Sequence, residues 1–143
     1  MRVKRENLFH LIEPMLPHVE KPSRYLNHEW GAVEEQEGPF HVCMVYADVY
    51  EVGQPNLGIA ILYNALNKAP RISCERAYLP WTDMAALMRK RNVPLLSLEG
   101  AAPLASFDVV GFTLAHEMIA TNIIETLDLA GIPMLAEERG EDD

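Results

Sequence analysis

Phe40-His41-Val42-Cys43-Met44-Val45-Tyr46-Ala47 is the stretch that decides the fold: every residue but His41 is apolar, and the run stops at Asp48. A strand with one wet face alternates apolar and polar side chains. A strand covered on both faces reads as a continuous apolar run, which is the signature of a parallel sheet sandwiched between helices. The residues beyond Asp48 support that reading. Asn56 is a helix cap, and Leu57, Ile61, Leu62, Ala65 and Leu66 form a broad apolar helical face that ends at Pro70. Residues 73–79 supply a second strand before Pro80. Thr82 and Asp83 open another helix, with Met84, Leu87 and Met88 on one side and Arg89, Lys90 and Arg91 in its last turn, where cations suit the helix dipole.

Residues 95–98 read as a third short strand and 107–114 as a fourth. A helix over 117–130 comes next, with Ile119, Ile123 and Leu127 stacked at fours, Gly131 to stop it and Pro133 beyond. Strands alternating with helices of about a dozen residues imply β-α-β units with right-handed crossovers. The fold class is therefore α/β: an open, mostly parallel, doubly wound sheet of the flavodoxin-like or Rossmann-like kind. After Met134 and Leu135 the chain turns polar through Glu137, Glu138, Arg139, Glu141, Asp142 and Asp143, so the expected closing strand is missing. The expectation is a domain cut from a longer protein, with an open edge that self-associates or is covered by the arm or the tail.

Residues 1–39 form a separate N-terminal helix and arm, and 40–143 the α/β domain. Pro14, Pro17, Pro22 and Pro39 punctuate the arm, and Glu34, Glu35 and Glu37 make it acidic. Leu8, Ile12 and Met15 at helical spacing predict a short amphipathic helix ending near Pro14. Residues 21–33 read as extended, anchored by Tyr25, Leu26 and Trp30.

The net charge of −9 over 143 residues argues against nucleic acid, whose phosphates need clustered cations. Only 1–5 is locally basic. No run of 18 or more apolar residues offers a membrane span and no secretory leader is visible, so the expected compartment is the cytoplasm. Cys43 and Cys74, the two cysteines, suit small core hydrophobes and cannot by themselves hold zinc or an iron-sulfur centre.

In an open parallel sheet, ligands bind beyond the C-terminal ends of the strands. The loop 48–58 carries the most chemistry there: Asp48, Tyr50, Glu51, Gly53 and Asn56, with Gly53 and Gly58 allowing a tight turn and close backbone approach at a helix start. It is neither a dinucleotide fingerprint nor a phosphate loop of the G-x-x-x-x-G-K type. Trp81 stands at the next loop and could stack on a flat ligand, although packing on the sheet edge is commoner. Thr113 and His116, the latter followed by Glu117, stand at the end of the last strand. There, acid/base work is geometrically possible, and capping or hydrogen bonding is the plainer use. His10, His18, His28 and His41 have no partner at ligand spacing.

Val19-Glu20-Lys21-Pro22-Ser23-Arg24-Tyr25-Leu26, Asp48-Val49-Tyr50-Glu51-Val52-Gly53, Leu79-Pro80-Trp81-Thr82-Asp83-Met84, Gly111-Phe112-Thr113-Leu114 and Leu127-Asp128-Leu129-Ala130-Gly131-Ile132-Pro133 span most of the chain. As a set they resemble the N-terminal, cobalamin-binding-like domain of a family of radical S-adenosylmethionine (SAM) proteins. That resemblance implies an accessory, non-catalytic domain beside a radical SAM barrel. S-adenosylmethionine and a 4Fe-4S cluster would be held by the barrel, outside this chain. Cobalamin domains that ligate cobalt through the protein use D-x-H-x-x-G. Here Asp48, Tyr50 and Gly53 fall on that spacing with tyrosine in the histidine's place, and a phenol is a poor cobalt ligand. Thr113 stands where such domains have a serine. The resemblance thus implies a pocket that holds a corrinoid without axial ligation, holds part of a substrate, or has lost its ligand. A docking or dimerisation domain with no small-molecule ligand is the competing reading. A small flavodoxin-like enzyme using His116 and Glu117 is disfavoured by the lack of a phosphate loop.

Overall fold

The computed structural model describes residues 3–33 and 38–140. The acidic cluster at Glu34, Glu35 and Glu37, the first two residues and the last three lie outside them. Three strands, β1 (Phe40–Tyr46), β2 (Ile72–Tyr78) and β3 (Val109–Thr113), form one parallel sheet in the order β2-β1-β3. The central strand is the continuous apolar run, as its two-sided burial requires. In register, Val42 stands beside Cys74 on one side and Val109 on the other.

Alternation along β1 divides the core. Cys43 and Val45 face a large cluster with Met84, Met88, Leu104 and Leu129, whereas Val42, Met44 and Tyr46 face the opposite side with Ile59 and Tyr63. The chain enters the sheet after α1 (Phe9–Ile12), a 3-10 stretch Glu13–His18 that accommodates Pro14 and Pro17, and a second 3-10 turn Pro22–Tyr25. Ile12 and Met15 sit in the main core, so the arm packs into the same body as the sheet. It is not extended over 21–33, and Trp30 is fully exposed rather than an anchor. Arg5, in the basic run, is drawn into an ion pair with buried Glu75.

α2 (Tyr50–Gly53) and α3 (Leu57–Lys68) connect β1 to β2; the Asn56 side chain accepts the Ile59 N–H at 3.0 Å, as its capping role requires. α4 (Thr82–Arg91) ends on Asn92 at φ 53°, and α5 (Ala120–Ala130) ends on Gly131 at φ 67°. At the second end the Ile132 N–H reaches back to the Leu127 carbonyl at 3.0 Å, a ring that needs the left-handed residue glycine supplies. Residues 117–119 are a 3-10 turn leading into α5.

Two strand expectations are corrected. Residues 107–114 are a strand only over 109–113. Residues 95–98 are not a strand, having only an isolated antiparallel bridge between Leu96 and Pro103. The segment lacks a single neighbour: Leu95 N–H goes to the Leu129 carbonyl, Ser97 N–H to Ala102 and Leu98 N–H to Arg76. A short apolar run satisfies its burial in either arrangement, which is why its pattern misleads.

Candidate functional site

At the C-terminal end of the sheet the chain leaves β1 through Asp48, whose Oδ1 accepts the Val49 N–H at 2.7 Å and whose carbonyl accepts the Leu79 N–H at 3.0 Å. This ties the exits of β1 and β2 together. α2 then brings Gly53 under the aromatic floor. Its φ is not positive; a Cβ there would stand 2.7 Å from the Tyr78 ring and 2.9 Å from the Tyr46 Cβ. The glycine is needed for close approach and not for a turn of positive φ.

Tyr50 lies edge-on to Tyr78, with ring centroids 5.3 Å apart, and its phenol donates to Glu29 at 2.5 Å. Burial and the Glu29 carboxylate both push the Tyr50 phenol above its ordinary range. Glu29 also meets Arg76 at 2.8 Å, and Arg76 meets Glu99 at 2.6 Å. Glu51 accepts from Arg24 at 2.8 Å and Lys21 at 3.1 Å. Arg24 lies 5.3 Å above the Trp81 ring, and the Trp81 backbone N–H donates to the Tyr25 hydroxyl at 3.1 Å. The arm therefore closes over Tyr50, Glu51 and Trp81 through four residues, Arg24, Tyr25, Glu29 and Lys21. Beneath it is a cavity of about 40 Å³ lined by Arg24, Tyr25, Tyr50, Tyr78, Met84 and Leu98 among others.

Thr113 and His116 are elsewhere. Thr113 pairs with Tyr46 at the end of β3, half-buried, and His116 is exposed at the turn into α5. With Leu114 and Met118, both strongly exposed, they line the β1–β3 half of the sheet end. The eight sequence-selected residues thus fall into two groups. Asp48, Tyr50, Glu51, Gly53, Asn56 and Trp81 lie on the β1–β2 side, mostly engaged with the arm or the helix cap. Thr113 and His116 lie across the sheet.

Sequence reading missed Arg24, Glu29 and Arg76. The signal available was the charged pair Glu75-Arg76 within a strand, since charges in a strand buried on both faces must be paired. Glu75 and Arg76 are 3% and 7% exposed. Burial pushes the Glu99 carboxyl up even though Arg76 opposes it.

Among the described residues no group of three or more His, Cys, Asp or Glu side chains could hold a metal ion. A corrinoid does not fit the arm-covered cavity: about 40 Å³ holds only water-sized occupants, and Tyr50 is committed to Glu29. No helix of the described residues is long and apolar enough to cross a membrane.

The sheet's two margins differ. On β2, Cys74 exchanges hydrogen bonds with the Asn67 side chain at 2.9 Å each, and Arg76 uses the Glu99 carboxylate at 2.7 Å and the Leu98 N–H at 2.7 Å. On β3, Asp108 N–H bonds the His41 carbonyl, so by alternation Val110 and Phe112 serve β1 while Val109, Gly111 and Thr113 turn their backbone outward. Among the described residues no strand lies there, and neither arm nor tail pairs with it. Between β3 and α5 runs a cavity of about 380 Å³ walled by Leu104, Phe107, Val110, Phe112, Ile123 and Leu127, with Asp108 and Arg139 also in its lining.

The described residues thus form an α/β domain on an open parallel sheet, with one margin capped by side chains and the other not. Residues 58–143 match the family of radical SAM proteins, N-terminal, and the chain belongs to that family. No curated protein and no solved structure matches it.

Proposed function

We propose that this chain acts in the cytoplasm as a non-catalytic docking module of a radical SAM protein, whose barrel packs against it and contributes the element that completes the sheet at β3. The observation that carries the reading is the contrast between the margins. β2 has its outward groups satisfied internally, whereas β3 presents three residues' worth of outward backbone beside an apolar cavity of about 380 Å³. Exposed strand edges of this kind recruit another strand, and the cavity suits the inward side chains of that strand. S-adenosylmethionine and the 4Fe-4S cluster belong to the barrel in this reading. The test is to add the catalytic portion of such a protein to the chain and follow amide exchange: protection of Val109, Gly111 and Thr113 supports docking, and unchanged exchange with binding elsewhere refutes it.

A second reading keeps a corrinoid at the sheet end. What favours it is the β1–β3 half, where Tyr46 and Thr113 end adjacent strands and Leu114, His116 and Met118 stand exposed, with no described arm residue bonded to them. Such a cofactor would bind without a nitrogen ligand from Tyr50's position. Reconstitution with cobalamin and electron paramagnetic resonance of the cobalt(II) form decides it: nitrogen splitting from a protein imidazole, or no binding, ends this reading.

A further inference from the structure

Arg76 has two carboxylate partners of different standing. Glu99 comes from the segment packed beside β2 and takes both the Arg76 Nε at 2.6 Å and the Arg76 backbone N–H at 2.7 Å. Glu29 comes from the arm, within residues 26–33, which belong to no helix or strand. One of its oxygens accepts from the Tyr50 phenol at 2.5 Å and the other meets Arg76 Nη1 at 2.8 Å. Trp30 beside it is fully exposed, and the loop is tied to the body again where the Val33 N–H donates to the Tyr63 hydroxyl at 2.9 Å. Glu29 does not use all that this place offers. Arg76 Nη2 and the Tyr78 hydroxyl have no hydrogen-bond partner among the described residues, although Arg76 is only 7% exposed and Tyr78 9%. Buried donors left unmatched in this way are rare and call for a further acceptor. Burial pushes the Tyr50 phenol above its ordinary range and the Tyr78 phenol up to about 12, so both hydroxyls keep the proton they donate.

We propose that Tyr50, Arg76 and Tyr78 form a carboxylate-binding site that Glu29 of the same chain fills, and that a short-chain carboxylic acid binds there when the arm loop withdraws Glu29. The grip selects the class: one donor to each of two oxygens is how a carboxylate is held, and two more donors stand ready beside it. Charge agrees. Arg76 and Glu99 offset each other, so Glu29 leaves the cluster one negative charge in excess, and a monoanion in its place keeps that count. A dianion such as phosphate would add another charge in a chain already at −9. Size sets the tail. The cavity of about 40 Å³ that shares Tyr50 and Tyr78 is lined on its far side by Met84 and Leu98 and has room for roughly two or three water-sized groups. The site lies on the β1–β2 side, so it neither needs docking at β3 nor prevents it.

The test uses acetate as the probe and Glu29→Ala in the 143-residue chain. The variant should melt below the parent, and sodium acetate should restore its melting temperature saturably, with a dissociation constant of about 1 mM, as suits so small a ligand. Sodium chloride and sodium phosphate at matched ionic strength should not. In the parent, which folds with Glu29 in place, acetate should bind at least tenfold more weakly and move the Glu29 and Arg76 resonances together, a readout that stands even if Glu29→Ala does not fold. Two hydroxyl variants separate binding from packing. Tyr50→Phe and Tyr78→Phe should each weaken acetate binding at least threefold, whereas Tyr78→Phe, which removes a hydroxyl without a partner, should not lower the parent's melting temperature. No saturable acetate binding to either chain, equal rescue of Glu29→Ala by chloride or phosphate, or acetate binding indifferent to both hydroxyls overturns the assignment.

Discussion

The β2 and β3 margins of one small sheet solve the edge problem in opposite ways. β2 is finished from within: Asn67 from the preceding helix copies the hydrogen bonds of a neighbouring strand at Cys74, and Glu99 with Leu98 does so at Arg76. β3 has no such substitutes among the described residues, and its flank is an apolar cavity. An edge capped by side chains cannot accept a strand without first losing those bonds, whereas an open one can. One margin of this domain is thus capped within the chain, and the other is open among the described residues.

The largest effect expected from attacking this contrast is at Arg76. Arg76→Ala leaves Glu29 and Glu99 facing each other without their shared cation, and breaking a buried pair on one side costs about 3–5 kcal/mol. Urea unfolding measures it; a loss below about 1 kcal/mol would mean that the network does not hold the β2 margin. Asn67→Ala strips both partners from Cys74 and should cost about 1–3 kcal/mol, read in the same assay. The Cys74 amide should also begin to exchange, and continued protection would show that another group seals the edge.

Titration also distinguishes the margins. Burial raises the Glu99 carboxyl above its ordinary 4.5, so the folded state binds this proton more tightly than the unfolded chain. The stability this contributes is fully present below about 4.5 and is lost as pH rises through the folded value. Glu99→Gln should flatten that decline in a urea series from about pH 4.5 upward, and an unchanged slope would assign the pH dependence to other groups. The smallest effect belongs to β3. Val109→Lys on the exposed edge should change stability by less than about 0.5 kcal/mol while weakening association with a radical SAM barrel, and a large destabilisation would mean that this edge is already packed.

Much of this architecture is readable without coordinates because it depends on local chemistry. The two-sided burial of β1, the Asn56 cap and the Gly131 helix stop are each written in residues that lie close together. What was not readable depends on distance. Glu29 and Arg76 lie 47 positions apart, as their numbers show, and no periodicity announces that a carboxylate in the arm will meet a strand arginine. Residues 95–98 failed for another reason: four residues carry too little pattern to tell a strand from a buried crossing segment. Among the site residues, Gly53 does not make the positive-φ turn expected of it; its close approach lets Tyr78 and Tyr46 close in.

Whether one margin is sealed and the other open can be read by native-state hydrogen exchange on the isolated chain at concentrations where it is monomeric. The outward amides of Cys74 and Arg76 on β2 should exchange slowly, held by Asn67 and Glu99, while those of Val109, Gly111 and Thr113 on β3 should exchange at rates close to those of exposed loops. Equal protection on both margins, or slower exchange on β3 than on β2, would contradict the assignment.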